Sequence, residues 1–139
     1  MTPSQVMGSL NEKIAPSKYF IWGEALWLPK MRAYAVPSQE QINNIINLAQ
    51  ALDKVREHYN KPMIVHSWLR PTEYNKLIGG ARASKHVEGL AVDFSIEGLQ
   101  AGQIQAELEK RKDIWPYRGE RGTPTWVHLD LGSGPWFNP

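Results

Sequence analysis

Four side chains in the second half of the sequence carry groups that bind metal ions or move protons. His86 sits in a polar loop, SKHVEG. Asp93 follows inside the apolar run LAVDFSI, and His128 and Asp130 lie in a second apolar run, TWVHLDL. An ionised carboxylate inside an apolar strand is unfavourable unless it is paired or ligates a metal. Strand alternation sends His128 and Asp130 out by one face. If the two runs lie side by side as strands, Asp93 and His128 meet, and the loop before the first strand can fold His86 back to join them. Two imidazoles and a carboxylate are the N/O donor set of a catalytic zinc site. Such a site keeps a fourth position for water and lowers its pKa to about 7. Spacing alone leaves a second reading open, in which Asp93 caps a loop or pairs with an arginine and His128 is an ordinary half-buried strand histidine.

The elements that must position these groups are readable from periodicity. Residues 38–59 predict a helix. Ser38 and Gln41 form a capping box, and Ile42, Ile45, Ile46, Ala49, Leu52, Val55 and Tyr59 recur at three- and four-residue steps. One face of this helix is expected to pack on a sheet, with no chemical part. Met63–Ser67 reads as a short strand, Pro71–Ile78 as a short helix closed by Gly79 and Gly80, and Leu90–Ile96 as a second strand. Residues 100–112 read as a helix with Ile104 and Leu108 inward, and Thr125–Leu131 as a third strand. Residues 1–37, rich in proline and aromatics, read as irregular chain wrapped over the core. The tail, GSGPWFNP, is turn-rich. Mixed helices and short strands with few crossover units predict a single α+β domain over 1–139, with a small antiparallel sheet and flanking helices.

Composition narrows the function classes. The 139 residues include 42% hydrophobic and 22% charged side chains, as in a soluble globular protein. Sixteen basic against 14 acidic groups give a net charge of only +2. That is too even to imply a nucleic-acid partner. With no cysteine, thiolate metal sites, disulfides and cysteine nucleophiles are excluded, so any metal is held by His, Asp or Glu. No apolar run approaches the roughly 18 residues of a membrane span. The segment MTPSQVMGSLNEK lacks the basic-then-apolar pattern of a secretory signal. The expectation is a monomer made in the cytoplasm and delivered or released to any substrate outside.

The local sequence is more specific than the spacing. Ser84, His86, Gly89, Ala91 and Asp93 fit S-x-H-x-x-G-x-A-x-D, which resembles the signature of the M15 peptidases, the zinc D-Ala-D-Ala carboxypeptidases and their relatives. Ser67-Trp68-Leu69-Arg70-Pro71 is similar to the family's S-x-x-R-[SP] turn. Tyr74-Asn75 and Gly79-Gly80-Ala81 are similar to its connection into the metal loop, and Trp126-Val127-His128-Leu129-Asp130 to its closing H-x-D strand. The resemblance runs from about residue 40 to 130. The H-x-D-x-G ending is similar to a sub-group of murein endopeptidases.

The resemblance implies the zinc D-Ala-D-Ala peptidase/Hedgehog-like fold and one zinc ion on His86, Asp93 and His128. It also implies Arg70 as the donor to the oxyanion. Ser84 can hydrogen-bond within its loop, the first reading, or touch substrate, and Trp126 can flank the substrate cleft or pack in the core. The expected substrate is a D-amino-acid-containing peptide of peptidoglycan, cut by a carboxypeptidase or endopeptidase, in the setting of a phage lysis enzyme or a virion-carried wall hydrolase. Many M15 enzymes carry an acid three residues before the last histidine ligand; here that position is Thr125, and the one after it is Trp126. Asp130 is then the first candidate for the general base, with an orienting role equally open, and Glu120 the next. The missing acid keeps alive a different class of function, a non-catalytic zinc-binding module of the same fold that serves structure or partner binding.

Overall fold

Ser38 Oγ accepts the Gln41 N–H, and the Gln41 side chain returns to the Ser38 N–H, so the longest helix starts where its capping box predicts. The computed structural model describes residues 1–139. In chain order the elements are α1 (Pro3–Met7), α2 (Trp22–Leu26), β1 (Trp27–Leu28), β2 (Ala33–Tyr34), α3 (Gln39–Tyr59), β3 (Met63–Ser67), α4 (Thr72–Leu77), β4 (Ala91–Ile96), α5 (Ala101–Lys110), β5 (Arg118–Gly119) and β6 (Val127–Asp130). A 3-10 turn, Lys85–Glu88, precedes β4. The α3 stripe of Ile42, Ile45, Leu48, Ala49, Leu52 and Val55 is fully buried. The helix ends at Asn60, which takes the left-handed conformation that asparagine tolerates, with φ 52°.

The main sheet has the order β3-β4-β6-β5, with every pair antiparallel. This is the α+β arrangement expected. Strand β4 is central, and its register against β6 pairs Ala91 with Asp130, Val92 with Leu129, Asp93 with His128 and Phe94 with Val127. Alternation then separates two faces. Val92, Phe94, Val127 and Leu129 join the hydrophobic core with the α3 stripe, Ile104, Leu108 and Trp115. Asp93, His128 and Asp130 share the other face and line a cleft. Strand β6 is shorter than the apolar run suggested. The Trp126 carbonyl is taken by Gln105 Nε2 at 3.2 Å and Thr123 Oγ1 at 2.6 Å instead of the ladder.

Residues 1–37 are more regular than their composition indicated. They form α1, α2 and the β1–β2 hairpin, and they put Val6, Ile14, Phe20, Trp22 and Leu26 into the common core. These pieces are too short to show a period in sequence. Contacts distant in the chain fix them: Ser17 Oγ donates to Asp53 Oδ1 at 2.8 Å, and the Leu69 N–H donates to the Ala25 carbonyl at 3.0 Å. No helix is long and apolar enough to cross a membrane.

Candidate functional site

His86 is delivered by the 3-10 turn. Ser84 Oγ accepts the His86 N–H at 3.2 Å and caps the turn, and Gly89 ends it with φ +79°. A Cβ at Gly89 would stand 3.1 Å from Ile45 Cγ1 and 3.3 Å from the Gln41 carbonyl, so α3 presses directly on this loop. Gln41 Nε2 donates to the Val87 carbonyl at 3.0 Å, and Asn44 Nδ2 to the Glu88 carbonyl at 2.9 Å. Helix α3, expected to have no chemical part, therefore clamps the loop that carries His86. Gln41, already the capping-box partner of Ser38, and Asn44, which periodicity assigns to solvent, make the clamp.

Asp93 and His128 come together through the β4–β6 register. His128 Nδ1 lies 2.9 Å and His86 Nε2 3.2 Å from the same oxygen, Asp93 Oδ1. One atom from each of the three residues lies within 4.8 Å of the others, and all three residues are buried. Such a group could hold one metal ion. The far nitrogens are fixed as well. His86 Nδ1 is 2.7 Å from the Trp68 carbonyl. A carbonyl only accepts, so Nδ1 carries the hydrogen and Nε2 presents its lone pair to the site. His128 Nε2 is 2.9 Å from Asp130 Oδ2.

The remaining residues singled out in sequence fall into distinct places. Arg70 Nη2 donates to Asp93 Oδ2 at 2.9 Å and Nε to Ser67 Oγ at 2.8 Å, while Nη1 takes no partner. The arginine pairing weighed for Asp93 is therefore real, and it coexists with the two histidine contacts. Asp130, 1% exposed, stands behind His128 with both oxygens engaged. Oδ1 accepts from Arg118 Nε at 3.0 Å and the Gly132 N–H at 2.8 Å, and Oδ2 meets His128 Nε2 and Arg118 Nη2. Of the two roles open to it, this geometry favours orienting His128. Ser84 caps the turn at the cleft edge, and Trp126 lines the cleft. Trp68 is a core residue that donates to the Gly89 carbonyl. His66 lies elsewhere, hydrogen-bonded to Ser95 Oγ.

Sequence reading named Glu120 but missed the far wall it belongs to. The cleft, about 410 Å³, is also lined by Arg118, Glu120 and Phe137. The tail folds back as a strap. The Phe137 N–H donates to the Gly119 carbonyl at 3.1 Å, and the Arg121 N–H to the Phe137 carbonyl at 2.7 Å. Phe137 meets the His128 ring edge-on at 5.6 Å and lies 4.9 Å under the Arg118 guanidinium. Trp136 sits so close to Gly119 that a Cβ there would fall 2.5 Å from its ring. The glycine is the only trace of this packing in the sequence.

Electrostatics divide the three converging groups. Burial alone would push the Asp93 carboxyl up, but its contacts with His128 first and His86 second outweigh it and hold it well below the usual carboxylate range. Burial likewise pulls His128 down, yet its contacts with Asp130 and Asp93 prevail and raise it to about 9. Burial lowers His86. Glu120 is raised, mainly by burial and also by the Asp93 and Asp130 charges, against the opposing pull of His128.

Without an ion, His128 is thus an imidazolium between two carboxylates. Its folded pKa lies above the ordinary 6.5, so its stabilisation is complete below pH 6.5 and fades as pH rises through about 9. The melting temperature of chelator-treated protein is expected to fall across that window, and a His128→Asn variant to lack this component. Equal pH profiles for the two proteins would contradict the double pairing of His128.

A family model described as Peptidase M15 matches residues 28–130, well over half of the chain, from β1 to the last residue of β6. No curated protein matches the chain. The matched span contains the whole His86–Asp93–His128 cluster together with Arg70 and Glu120. M15 peptidases are generally metal-dependent, and the donor set that converges on Asp93 is of the kind such an enzyme requires. On that match the chain belongs to the M15 peptidase family.

Proposed function

We propose that this peptidase hydrolyses a peptide bond in bacterial peptidoglycan, within a D-amino-acid-containing stem or cross-bridge, using one zinc ion held by His86 Nε2, Asp93 and His128 Nδ1. The observation that carries the reading is the convergence of three N/O donors at the floor of an open cleft, with no fourth such side chain in the cluster. The set fits zinc: two imidazoles and one carboxylate, no thiolate, and one face left to solvent. When bound, such an ion polarises the scissile carbonyl and acidifies water.

The chain's own groups do the rest. Trp68 and Asp130 hold the outer nitrogens of the two imidazoles, so each ring presents its inner nitrogen at a fixed angle. Arg118 and the Gly132 N–H hold Asp130 in turn. Ser67 and Asp93 hold Arg70, whose free Nη1 is available to a developing oxyanion. Trp126 and Phe137 wall the cleft. A wall-degrading activity of this kind suits a phage lysis protein or a virion-associated hydrolase.

The test is digestion of purified peptidoglycan and of isolated muropeptides by zinc-loaded and chelator-treated protein, read by mass spectrometry. Zinc-dependent hydrolysis at one type of bond is expected. Release of free D-alanine identifies a carboxypeptidase, and separation of cross-linked stems an endopeptidase. If fully zinc-loaded protein leaves every muropeptide intact, the reading fails and the non-catalytic module stands.

A further inference from the structure

Three carboxylates face the cleft: Asp93, Asp130 and Glu120. Two of them are committed. Asp93 spends Oδ1 on both histidines and Oδ2 on Arg70. Asp130 is buried with both oxygens hydrogen-bonded, and it touches the nitrogen of His128 that points away from the converging donors. An acid placed behind the imidazole ring cannot reach a water or an amide nitrogen in front of it.

Glu120 is different in each respect. It lines the same cleft, is half-buried, and its carboxylate makes no hydrogen bond or ion pair within the chain. Its backbone is nonetheless fastened on both sides. The Glu120 N–H donates to the His128 carbonyl at 3.1 Å, and the residue forms a parallel bridge with Phe137. Neighbouring Gly119 and Arg121 are bonded to the same tail strap. A free carboxylate on a fixed backbone, beside the converging donors and open to a ligand, is what proton transfer to a bound substrate needs.

We propose that Glu120 is the catalytic proton carrier of this peptidase, and that the tail strap through Phe137 holds it in place. The proposal rests on the hydrolase reading above. As the water oxygen forms its bond to the scissile carbonyl carbon, a water proton passes to a Glu120 Oε. The same proton is handed to the amide nitrogen as the C–N bond breaks. The products are a carboxyl and an amine terminus, and Glu120 ends ionised as it began.

The experiment compares wild type, Glu120→Gln and Glu120→Ala, each loaded with zinc. Zinc content is measured by metal analysis, muropeptide affinity by calorimetry, and turnover by mass spectrometry. Glu120→Gln is expected to keep one zinc per chain, wild-type melting and muropeptide affinity, while turnover falls by about 100-fold or more. Added formate is expected to restore part of the turnover of Glu120→Ala, which a merely structural role would not allow. Turnover of Glu120→Gln within about threefold of wild type, or loss of zinc from it, overturns the proposal. So does the absence of formate rescue. Failure of the hydrolase reading is distinguishable, because wild type itself would then cleave no muropeptide.

Discussion

Asp93→Ala is expected to bind no stoichiometric zinc and to show no hydrolysis. Its Oδ1 is the point on which both imidazole nitrogens converge, at 2.9 and 3.2 Å, and its Oδ2 anchors Arg70. Removing the carboxylate takes away one of three donors and the only anionic one. It also leaves two cationic groups, Arg70 and protonated His128, facing each other in a buried setting without the charge between them. Breaking a buried pair by deleting one partner typically costs about 3–5 kcal/mol. The metal-free variant is therefore expected to melt well below chelator-treated wild type. His86→Ala and His128→Ala are expected to lose zinc too, since a two-donor remnant is a weak site. Metal analysis after gel filtration decides the matter. A full complement of zinc in all three variants would overturn the assignment of the ligands.

The site was legible to the extent that its causes are local. Alternation along two apolar runs placed Asp93, His128 and Asp130 on one face. Adjacency of those runs as strands then puts Asp93 beside His128 with no further information. The position of His86 follows from Ser84 capping the turn and Gly89 closing it, both of them residue-type signals. What stayed hidden is what depends on distant contacts. Nothing in the helical period marks Gln41 and Asn44 as partners of the loop carbonyls at Val87 and Glu88. Two-residue strands such as β5 have no period, and their existence depends on β6 being alongside.

The tail strap is the clearest case. Its register is set by backbone bonds between Phe137 and the Gly119–Arg121 segment, which no composition rule reveals. Consequently the wall formed by Phe137 was invisible, and Glu120 ranked behind Asp130. Asp130 is nearer to a ligand in sequence and shares its face of β6, but its oxygens are taken by Arg118, the Gly132 N–H and the outer nitrogen of His128. Glu120 is farther away in sequence and faces the cleft because the strap and β6 grip its backbone.

Arg70→Ala is expected to retain zinc at one ion per chain and to lose turnover by about 100-fold or more, the usual penalty for deleting a donor to an oxyanion. Two effects of the substitution have to be separated. The guanidinium supplies Nη1 to the cleft, and it also pairs with Asp93 Oδ2, so its loss alters the carboxylate that the ion shares. Asp93 keeps both histidine contacts on its other oxygen, which is why the ion stays. Arg70→Lys divides the effects: an ammonium can still neutralise Asp93 but does not reproduce the fork that spans Ser67 Oγ, Asp93 Oδ2 and the cleft. The lysine variant is therefore expected to match wild type in zinc affinity yet remain far below it in kcat, with KM little changed. Wild-type turnover in Arg70→Ala would remove the arginine from the oxyanion role. Loss of zinc from Arg70→Lys would show that the guanidinium serves the metal site and not the transition state.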